Sequence, residues 1–355
     1  MPLQSFKATD FRCLAAAEFE PDQNFSLIYG ANASGKTSLL EAIAYLGRGK
    51  SFRGAGTQDL VRHGASDFLL LGTLLRDGRR QTIGARNGRD GLEVSTDGDH
   101  GGGAAALARV LPLQVIDPEI HSLVAGGPEE RRRYLDWIVF HVEQSYIDVW
   151  RRFRRALKQR NAALKAGAVA AELEGWDREL AELGSEVHEA RARVFDVALP
   201  CLQDAAESLL FGGISFEYRC GWPKGQPLAE ALAAGRDRDR QLGSTQAGPH
   251  RADLKLIYDQ RHARRLVSRG QQKLLACAMV LAATEMAQVE LGRPLLLLMD
   301  DPAAELDRNS LGRLMGRVIS LGCQVIATAI EPQPDLFPQP PAMFHVEQGA
   351  LQKAR

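Results

Sequence analysis

A glycine-rich loop between a strand and a helix constrains this chain more than any other feature. Residues 30–37 read Gly-Ala-Asn-Ala-Ser-Gly-Lys-Thr and fit the pattern G-x-x-x-x-G-K-[ST]. The apolar run Phe25–Tyr29 before the loop predicts a strand, and the spacing of Ser38–Leu46 after it predicts a helix. Such a loop turns successive backbone N–H groups and a helix N-terminus toward phosphate oxygens. The chain is therefore expected to build an α/β fold around a phosphate site.

The loop also predicts which residues hold a nucleotide. Lys36 would add a positive charge beside the phosphates, which makes it a catalytic candidate as well, and Thr37 would offer a hydroxyl to Mg²⁺. ATP and Mg²⁺ are the expected ligands. The predicted nucleotide contacts in the loop and the start of its helix are Gly30, Ala31, Asn32, Ala33, Ser34, Gly35, Lys36, Thr37 and Ser38.

A second apolar strand ends in two carboxylates. Leu295–Met299 is followed by Asp300 and Asp301, the Walker B arrangement that brings an acid to the magnesium shell. Asp300 is the candidate metal ligand. Asp301 is the candidate that orients or deprotonates the attacking water, and its short side chain predicts slow hydrolysis. The alternative is a strand that merely ends in a polar turn.

Two further motifs surround this strand. Ser268, Gly270 and Gln271 have the S-x-G-Q shape of the ABC ATPase signature, which contacts the γ-phosphate held by a second subunit and so predicts a nucleotide-sandwich homodimer. Glu305 and Asp307 occupy the place of the D-loop at that interface. The alternatives are an ordinary loop for the first motif and an ordinary helix start for the second.

The rest of the chain predicts two lobes. Strand-like runs open the sequence, and residues 47–103 suggest antiparallel strands and loops. One long amphipathic helix is expected from Pro128 through Ala156, and a second after Gly167 until Pro200, packed as an antiparallel hairpin. The fold class predicted is a P-loop ABC-type ATPase head around a mixed sheet, residues 1–115 with 245–355, carrying a helical insertion lobe, residues 116–244.

Composition narrows the setting. The 355 residues include 44 basic and 44 acidic side chains, so the formal net charge is zero. Binding to a polyanion would therefore need a local cluster of basic residues on the surface. The five cysteines are scattered without a C-x-x-C pair, and the N-terminus has no apolar run of the secretory kind, which together favour a cytoplasmic protein. Leu274–Ala283 is roughly half of the ~20 residues that cross a bilayer and is expected to be a buried helix.

The combination of motifs resembles RecF, a bacterial recombination and gap-repair family related to the heads of SMC proteins. The resemblance runs along nearly the whole chain. It rests on Thr37–Ile43, Phe11-Arg12, Ser51–Arg53, Gln114 with Pro118-Glu119, Arg132–Trp137, Lys158–Leu164, and Gly248–Arg251 with Asp253-Leu254. Departures are Ala33 for a glycine, Ala304 for a serine, Asp301 for a glutamate and Thr328 for a switch histidine, and they bear on the turnover rate.

The resemblance implies a function. The protein should bind ATP, dimerise on it, bind duplex DNA and gap junctions, and work with RecR and RecO to load RecA, with a weak DNA-stimulated ATPase and no membrane partner. Replication restart and the SOS response belong to the same expectation. Gln114 resembles a loop glutamine that contacts magnesium, and Arg12 a phosphate-contacting arginine; the alternative for each is an ordinary exposed polar residue.

A basic helix is the candidate DNA surface. Residues 151–165 hold seven basic and no acidic side chains, and Arg151, Arg154, Arg155 and Lys158 share one helical face. The alternative is neutralisation by residues 172–189 of the second arm, which hold seven acidic side chains. Residues 131–133 and 250–251 leave the same two interpretations open, DNA contact or structure.

Other classes explain the sequence less well. A nucleotide-binding subunit of a membrane transporter would be expected to have a switch histidine and a short helical lobe. A metabolic ATPase would need a second set of catalytic residues, and the sequence offers none.

Overall fold

The computed structural model describes residues 2–76, 78–89, 91–210, 212–304 and 306–354. The chain divides into two compact units: unit 1 is Met1–Ile120 with Ala287–Arg355, and unit 2 is His121–Met286. Residues 245–286 thus belong with the helices, whereas the predicted lobes placed them with the ATPase core. The predicted lobe bounds, 1–115 with 245–355 and 116–244, stay a prediction.

The described residues form fifteen strands and ten α-helices. The strands are β1 (Leu3–Phe11), β2 (Leu14–Phe19), β3 (Phe25–Tyr29), β4 (Asp67–Arg76), β5 (Arg79–Gly88), β6 (Gly91–Thr96), β7 (Asp99–His100), β8 (Leu113–Ile116), β9 (Ile214–Arg219), β10 (Asp253–Tyr258), β11 (Arg261–His262), β12 (Leu296–Met299), β13 (Gln324–Ala329), β14 (Ala342–Glu347) and β15 (Ala350–Lys353). The helices are α1 (Lys36–Arg48), α2 (Thr57–Leu60), α3 (Gly103–Val110), α4 (Ser122–Ala125), α5 (Pro128–Val142), α6 (Tyr146–Lys165), α7 (Ala170–Leu210), α8 (Leu228–Leu242), α9 (Arg269–Leu291) and α10 (Arg308–Ser320).

Unit 1 contains two six-stranded sheets. One is antiparallel, in the order β2-β1-β4-β5-β6-β7, which confirms the strands and loops expected for residues 47–103. The other, β15-β14-β3-β13-β12-β8, is mixed, because β15 alone runs antiparallel to its neighbour. In its parallel part the strand ends at Tyr29, Met299 and Ile116 share one edge of the sheet. Ligands bind beyond this edge in open α/β sheets.

Helix α1 forms the centre of unit 1. Its residues Leu39, Leu40 and Ile43 are at most 1% exposed and belong to one apolar core with side chains of both sheets. An apolar helix between two sheet faces buries side chains on nearly all its sides, and this explains the run of small and aliphatic residues after the loop. The predicted fold class is confirmed.

Unit 2 is mainly helical, and it corrects the prediction of one long first helix. The chain forms α5 and α6 instead, because Glu143 leaves the helical conformation with φ −112° and ψ 109°. Tyr146 begins α6, is buried, and donates a hydrogen bond to Asp136 at 2.5 Å, while Arg191 of α7 binds the same carboxylate at 2.7 Å. The apolar spacing continues through both helices, so it does not reveal where one ends and the next begins. The buried polar contacts of Tyr146 and Arg191 with Asp136 lie at this break.

Helix α7 extends beyond the predicted end at Pro200 to Leu210. Proline removes one backbone donor, but Leu202, Ala205 and Leu209 beyond it are at most 1% exposed, and their burial favours continuing the helix. Helices α6 and α7 pack against each other across the turn at residues 166–169, as the predicted hairpin requires. A small antiparallel sheet, β11-β10-β9, completes unit 2.

Helix α9 is longer than the predicted apolar stretch. It spans 23 residues and is long and apolar enough to cross a membrane by length and composition, but 72% of its most apolar window is buried within the protein. Leu274–Ala283 are all buried. The expectation of a buried helix is confirmed, and its length reflects polar residues that continue the helix on both sides.

Candidate nucleotide-binding site

The glycine-rich loop curls around its own lysine. Lys36 Nζ donates to Gly30 O at 2.7 Å and to Ala31 O at 2.8 Å, and burial lowers the pKa of Lys36 while Asp301 and Asp300 raise it. Gly35, at φ 114°, lies in the left-handed region that favours glycine. A buried ammonium group held by carbonyl oxygens is positioned to exchange them for phosphate oxygens.

Ala33 and Ser34 shape the same loop. Ala33 adopts φ 63°, a left-handed conformation that is unfavourable for a residue with a Cβ atom, which agrees with the usual glycine at this position. The hydroxyl oxygen of Ser34 is buried and has no hydrogen-bond partner among the residues that the structure describes. A buried hydroxyl without a partner on a cavity wall is suited to a polar ligand.

Helix α1, the end of β12 and strand β13 together form the acidic end of the site. The Thr37 hydroxyl donates to both carboxylate oxygens of Asp300 at 3.1 Å, and the fully buried Thr328 hydroxyl donates to Asp300 Oδ1 at 2.7 Å. The same Thr328 oxygen accepts from the backbone N–H of Asp301 at 2.9 Å. Thr328, which the sequence marked only as a missing histidine, therefore orients both acids.

Asp301 leaves the strand in a special conformation. Its φ of 47° is left-handed, so the chain turns sharply after Asp300 and separates the two carboxylates. Strand β13 continues to Ala329, one residue beyond Thr328.

A cavity of about 350 Å³ lies between the loop and these acids. Its wall includes the predicted residues Asn32–Ser38, Asp300 and Asp301. It adds residues for which the sequence predicted no role here: Cys13, Arg53, Pro118, Thr328 and Ile330. Of these, Arg53 and Pro118 belong to stretches on which the family resemblance rests, Ser51–Arg53 and Pro118-Glu119.

Magnesium would find oxygen ligands here. Asp300 and Thr37 present a carboxylate and a hydroxyl, a set that suits Mg²⁺ when phosphate oxygens and water complete its shell. No group of three or more His, Cys, Asp or Glu side chains that could hold a metal occurs in the described part of the chain.

Arg12 is placed away from the cavity wall. Its Nε and Nη2 donate to the carboxylate of Glu41 at 2.6 and 3.0 Å, and hydrogen bonding to Glu41 raises the pKa of Arg12. Glu41 is fully buried in α1 and also accepts from Ser51 at 2.5 Å. The structure gives Arg12 an anchoring contact, and its predicted contact with phosphate stays a prediction.

Gln114 is also placed differently from its predicted magnesium role. It lies in the middle of β8, is 6% exposed, and accepts a hydrogen bond from Arg48 at 3.0 Å. The strand end nearest Asp300 carries Asp117 instead, where burial raises the pKa to about 6, with Arg48 opposing and Asp300 adding to the increase.

The signature residues lie at the N-terminus of α9 in unit 2. The Ser268 hydroxyl accepts from the Gln271 N–H at 3.3 Å, and the Gln271 side chain accepts from the Ser268 N–H at 2.8 Å. This reciprocal pair is a capping box. Ser268 and Gln271 are exposed and Gly270 is partly exposed, so the motif starts the helix and leaves its first turn accessible.

Of the two D-loop candidates, Asp307 lies within the described residues and Glu305 lies outside them. Asp307 caps α10 by accepting from the N–H groups of Asn309 and Ser310 at 2.9 and 3.0 Å. An ordinary helix start explains these contacts, and a role at a dimer interface stays a prediction.

The candidate DNA surface is exposed. Arg151, Arg154, Arg155 and Lys158 all face solvent on α6. Arg151 lies 3.7 Å from Asp148 of the same helix, Arg154 stacks over Trp150, and Arg155 and Lys158 make no ion pair with any described residue. The acidic arm binds a different member of the run, the fully buried Arg160, through Asp177 at 2.7 Å. Among the described residues, no side chain of α7 makes an ion pair with this exposed face, and its contact with DNA stays a prediction.

Three of the other ambiguous residues, Arg131, Arg132 and His250, make structural contacts, and the two interpretations stay open for Arg133 and Arg251, which are exposed. Arg131 is buried against Asp253 at 2.8 Å, and Arg132 donates to Ala252 O at 2.8 Å. His250 is hydrogen-bonded to Thr245 O at 2.9 Å, and burial lowers its pKa to about 4.

A phosphate loop, a Walker B pair and a mixed sheet sharing α1 with an antiparallel sheet define an α/β ATPase fold of the ABC/SMC-head type. The model of the RecF/RecN/SMC N-terminal domain matches residues 2–337. An SMC head from Pyrococcus furiosus has the same fold, with a TM-score of 0.59 and 16% identity over 99% of this chain and 95% of that one.

Two relatives are DNA replication and repair proteins named RecF. The one from Chromohalobacter salexigens is 40% identical over 99% of both chains, and the one from Pseudomonas fluorescens is 37% identical over 99% of this chain and 98% of its own. A solved structure of the recombination mediator RecF with ATP, in the RecFOR pathway, has a TM-score of 0.90 and 25% identity, covering 99% of this chain and 97% of that one. The chain belongs to the RecF family of DNA replication and repair proteins.

Proposed function

We propose that this protein is an ATP-gated DNA clamp of recombinational and gap repair in the cytoplasm. ATP with Mg²⁺ would occupy the cavity of unit 1 and join two copies of the chain, which then hold duplex DNA and gap junctions. The observation that carries the proposal is the junction of Lys36, Thr37 and Asp300, where a buried cation and a hydroxyl-bound carboxylate face one cavity.

Each residue has a defined task in this proposal. Lys36 and the loop N–H groups bind the β- and γ-phosphates, and Thr37 and Asp300 would hold the Mg²⁺ that neutralises phosphate charge. Asp301 orients the attacking water and accepts its proton, while Thr328 keeps the two acids apart. Ser268 and Gly270 of the second copy would contact the γ-phosphate. The expected turnover is weak and DNA-stimulated, as suits a switch.

DNA would lie along the exposed face of α6, since guanidinium and ammonium groups bind phosphates without reading sequence. Family membership supports partners as well: RecR, with RecO and RecA acting in the same pathway. It also favours this function over the transporter subunit and the metabolic ATPase.

The test is fluorescence anisotropy of a labelled gapped duplex, titrated with protein with and without Mg-ATP at two salt concentrations. We expect ATP to tighten binding and higher salt to weaken it. The Lys36→Met variant, which removes the phosphate-binding charge, should lose the ATP effect. Folded protein that binds ATP but no DNA in any nucleotide state would overturn the clamp.

A further inference from the structure

We propose that Cys13 is a modification site on the wall of the nucleotide cavity, and that a disulfide adduct on its thiol prevents nucleotide binding. The inference rests on the proposed nucleotide function of that cavity. Cys13 lines the cavity together with Ser34, Lys36 and Ser38. Its sulfur lies 3.4 Å from the Ser38 hydroxyl in the first turn of α1. The sulfur also lies close to the phosphate loop, since a methyl group placed on Gly35 would be 3.3 Å from it.

The thiol is held in this position by the turn that carries it. Cys13 is the second residue of the two-residue turn between β1 and β2, which pair at Phe11 and Leu14. Arg12 fixes the turn through its paired contacts with Glu41 and through its backbone N–H, which donates to Leu60 O at 2.7 Å. Because the turn is anchored to α1 itself, the thiol stays beside the phosphate loop.

A second observation marks this wall as a ligand surface. Ser34 lies on the wall of the same cavity and is 8% exposed, and its hydroxyl oxygen has no hydrogen-bond partner in the described part of the chain. A ligand that binds Ser34 and Lys36 in this cavity shares its space with the Cys13 sulfur, because all three side chains line the same wall. A group of peptide size joined to that sulfur occupies space that the nucleotide needs.

The chemistry requires one co-reactant, a low-molecular-weight disulfide. The Cys13 thiolate attacks one sulfur of the disulfide, a new S–S bond forms, the old S–S bond breaks, and the other half leaves as a thiolate. A reducing thiol reverses the exchange by the same steps. Nucleotide already bound would shield the sulfur, so occupancy and modification exclude each other.

Cys13 is also the accessible thiol of this chain. All five cysteines lie in the described residues; Cys277 and Cys323 are buried, and Cys201 and Cys220 are partly buried. Cys13 alone is exposed. Selective reaction at this position is expected because thiol–disulfide exchange depends on access.

The experiment treats the full-length protein with oxidised glutathione, locates the adduct by peptide mass spectrometry, and measures binding of a fluorescent ATP analogue before and after. We expect an adduct on Cys13, at least about a tenfold loss of nucleotide affinity, recovery with a reducing agent, and slower modification when Mg-ATP is present. Each variant is compared with its own untreated sample. Cys13→Ser should show no loss on treatment, whereas the double variant Cys201→Ser/Cys220→Ser should keep the full loss.

The outcomes separate the two proposals. Wild-type protein that carries the adduct on Cys13 and still binds nucleotide overturns the inference, as does an equal loss in Cys13→Ser. Untreated, folded protein that binds no nucleotide overturns the proposed function, and the inference with it.

Discussion

One threonine organises the acidic end of the nucleotide cavity. Thr328 donates its hydroxyl proton to Asp300 and accepts from the Asp301 N–H, so a single buried side chain sets the positions of both acids. Many ABC ATPases have a switch histidine at this place. A threonine that holds the two acids instead is consistent with the proposed slow switch.

Replacing Asp301 should separate binding from turnover. Asn keeps the size of the side chain but removes the group that accepts the proton from water, so we expect Asp301→Asn to bind ATP and hydrolyse it about a hundredfold more slowly. Single-turnover hydrolysis and ATP-binding titrations measure the two properties. Asp335→Asn, an exposed change in the same unit, is the matched control. Normal turnover in Asp301→Asn would exclude Asp301 as the catalytic carboxylate.

His250 should make the stability depend on pH. Burial and, to a lesser extent, the nearby cations Arg251, Arg132 and Arg160 together lower its pKa from 6.5 to about 4, although the hydrogen bond to Thr245 opposes this decrease. The unfolded chain then binds a proton that the folded chain does not, so this contribution is complete above the unfolded pKa and is lost as the pH falls. From these values we expect a loss of about 2 kcal/mol between pH 7.5 and pH 5.

Chemical denaturation at those two pH values checks this prediction. His250→Asn removes the titrating group, so its free energy of unfolding should fall less than that of the wild type over the same interval. The exposed His63→Asn serves as control and should behave like the wild type. Equal pH dependence in all three proteins would contradict the assignment.

At the scale of elements, α6 shows how one run of basic residues serves two purposes. Arg160 points inward and is fully buried, bound to Asp177 of α7 and Asp239 of α8, each at 2.7 Å. The charges on the opposite face remain exposed. A helix turns about 100° per residue, so residues only a few positions apart face either the ion cluster or solvent. The buried cluster ties three helices together, and the exposed face stays available to a polyanion.

Neutralising the exposed face should weaken DNA binding. We expect the triple variant Arg154→Gln/Arg155→Gln/Lys158→Gln to bind DNA at least about tenfold more weakly. Its binding should also depend less steeply on salt: the plot of log affinity against log salt should become shallower by about 0.9 for each phosphate that the protein no longer neutralises. The control Lys224→Gln/Arg238→Gln/Arg240→Gln removes the same charge from other exposed positions of unit 2. Anisotropy at three salt concentrations measures both quantities. Equal weakening in the two variants would show a general charge effect instead of a surface on α6.

At the scale of the whole molecule, the proposed clamp requires two copies, because the phosphate loop and the signature serine act on the same nucleotide from different chains. We expect Ser268→Arg to bind ATP as a monomer and to fail to dimerise, since a long cation would occupy the place of the γ-phosphate contact. Light scattering with and without Mg-ATP measures the mass. Ser215→Arg, an exposed change on β9, should dimerise normally.

The helix cap provides a second check on that variant. Ser268→Arg also removes the capping box of α9, which costs about 1 kcal/mol of stability. Ser268→Asn keeps a capping side chain and so separates stability from association. An ATP-dependent mass in Ser268→Arg equal to that of the wild type would remove the sandwich model.

Local patterns were sufficient for the sequence to predict much of this protein. The loop at residues 30–37, the acids after β12 and the signature before α9 are contiguous motifs, and strand or helix spacing places them without knowledge of the fold. The fold class and the family followed from their order along the chain. These features depend on neighbours within a few residues, and this is the range over which sequence patterns are informative.

Only the tertiary structure decided the contacts between distant residues. It shows that Arg12 binds Glu41, Gln114 binds Arg48 and Thr328 binds Asp300. It also shows that the predicted first long helix is interrupted near the hydrogen bond between Tyr146 and Asp136. It also extended α7 past Pro200 and brought Cys13 to the nucleotide cavity. Each of these outcomes depends on which side chains are buried together, and burial is a property of the packed chain rather than of any short stretch of it.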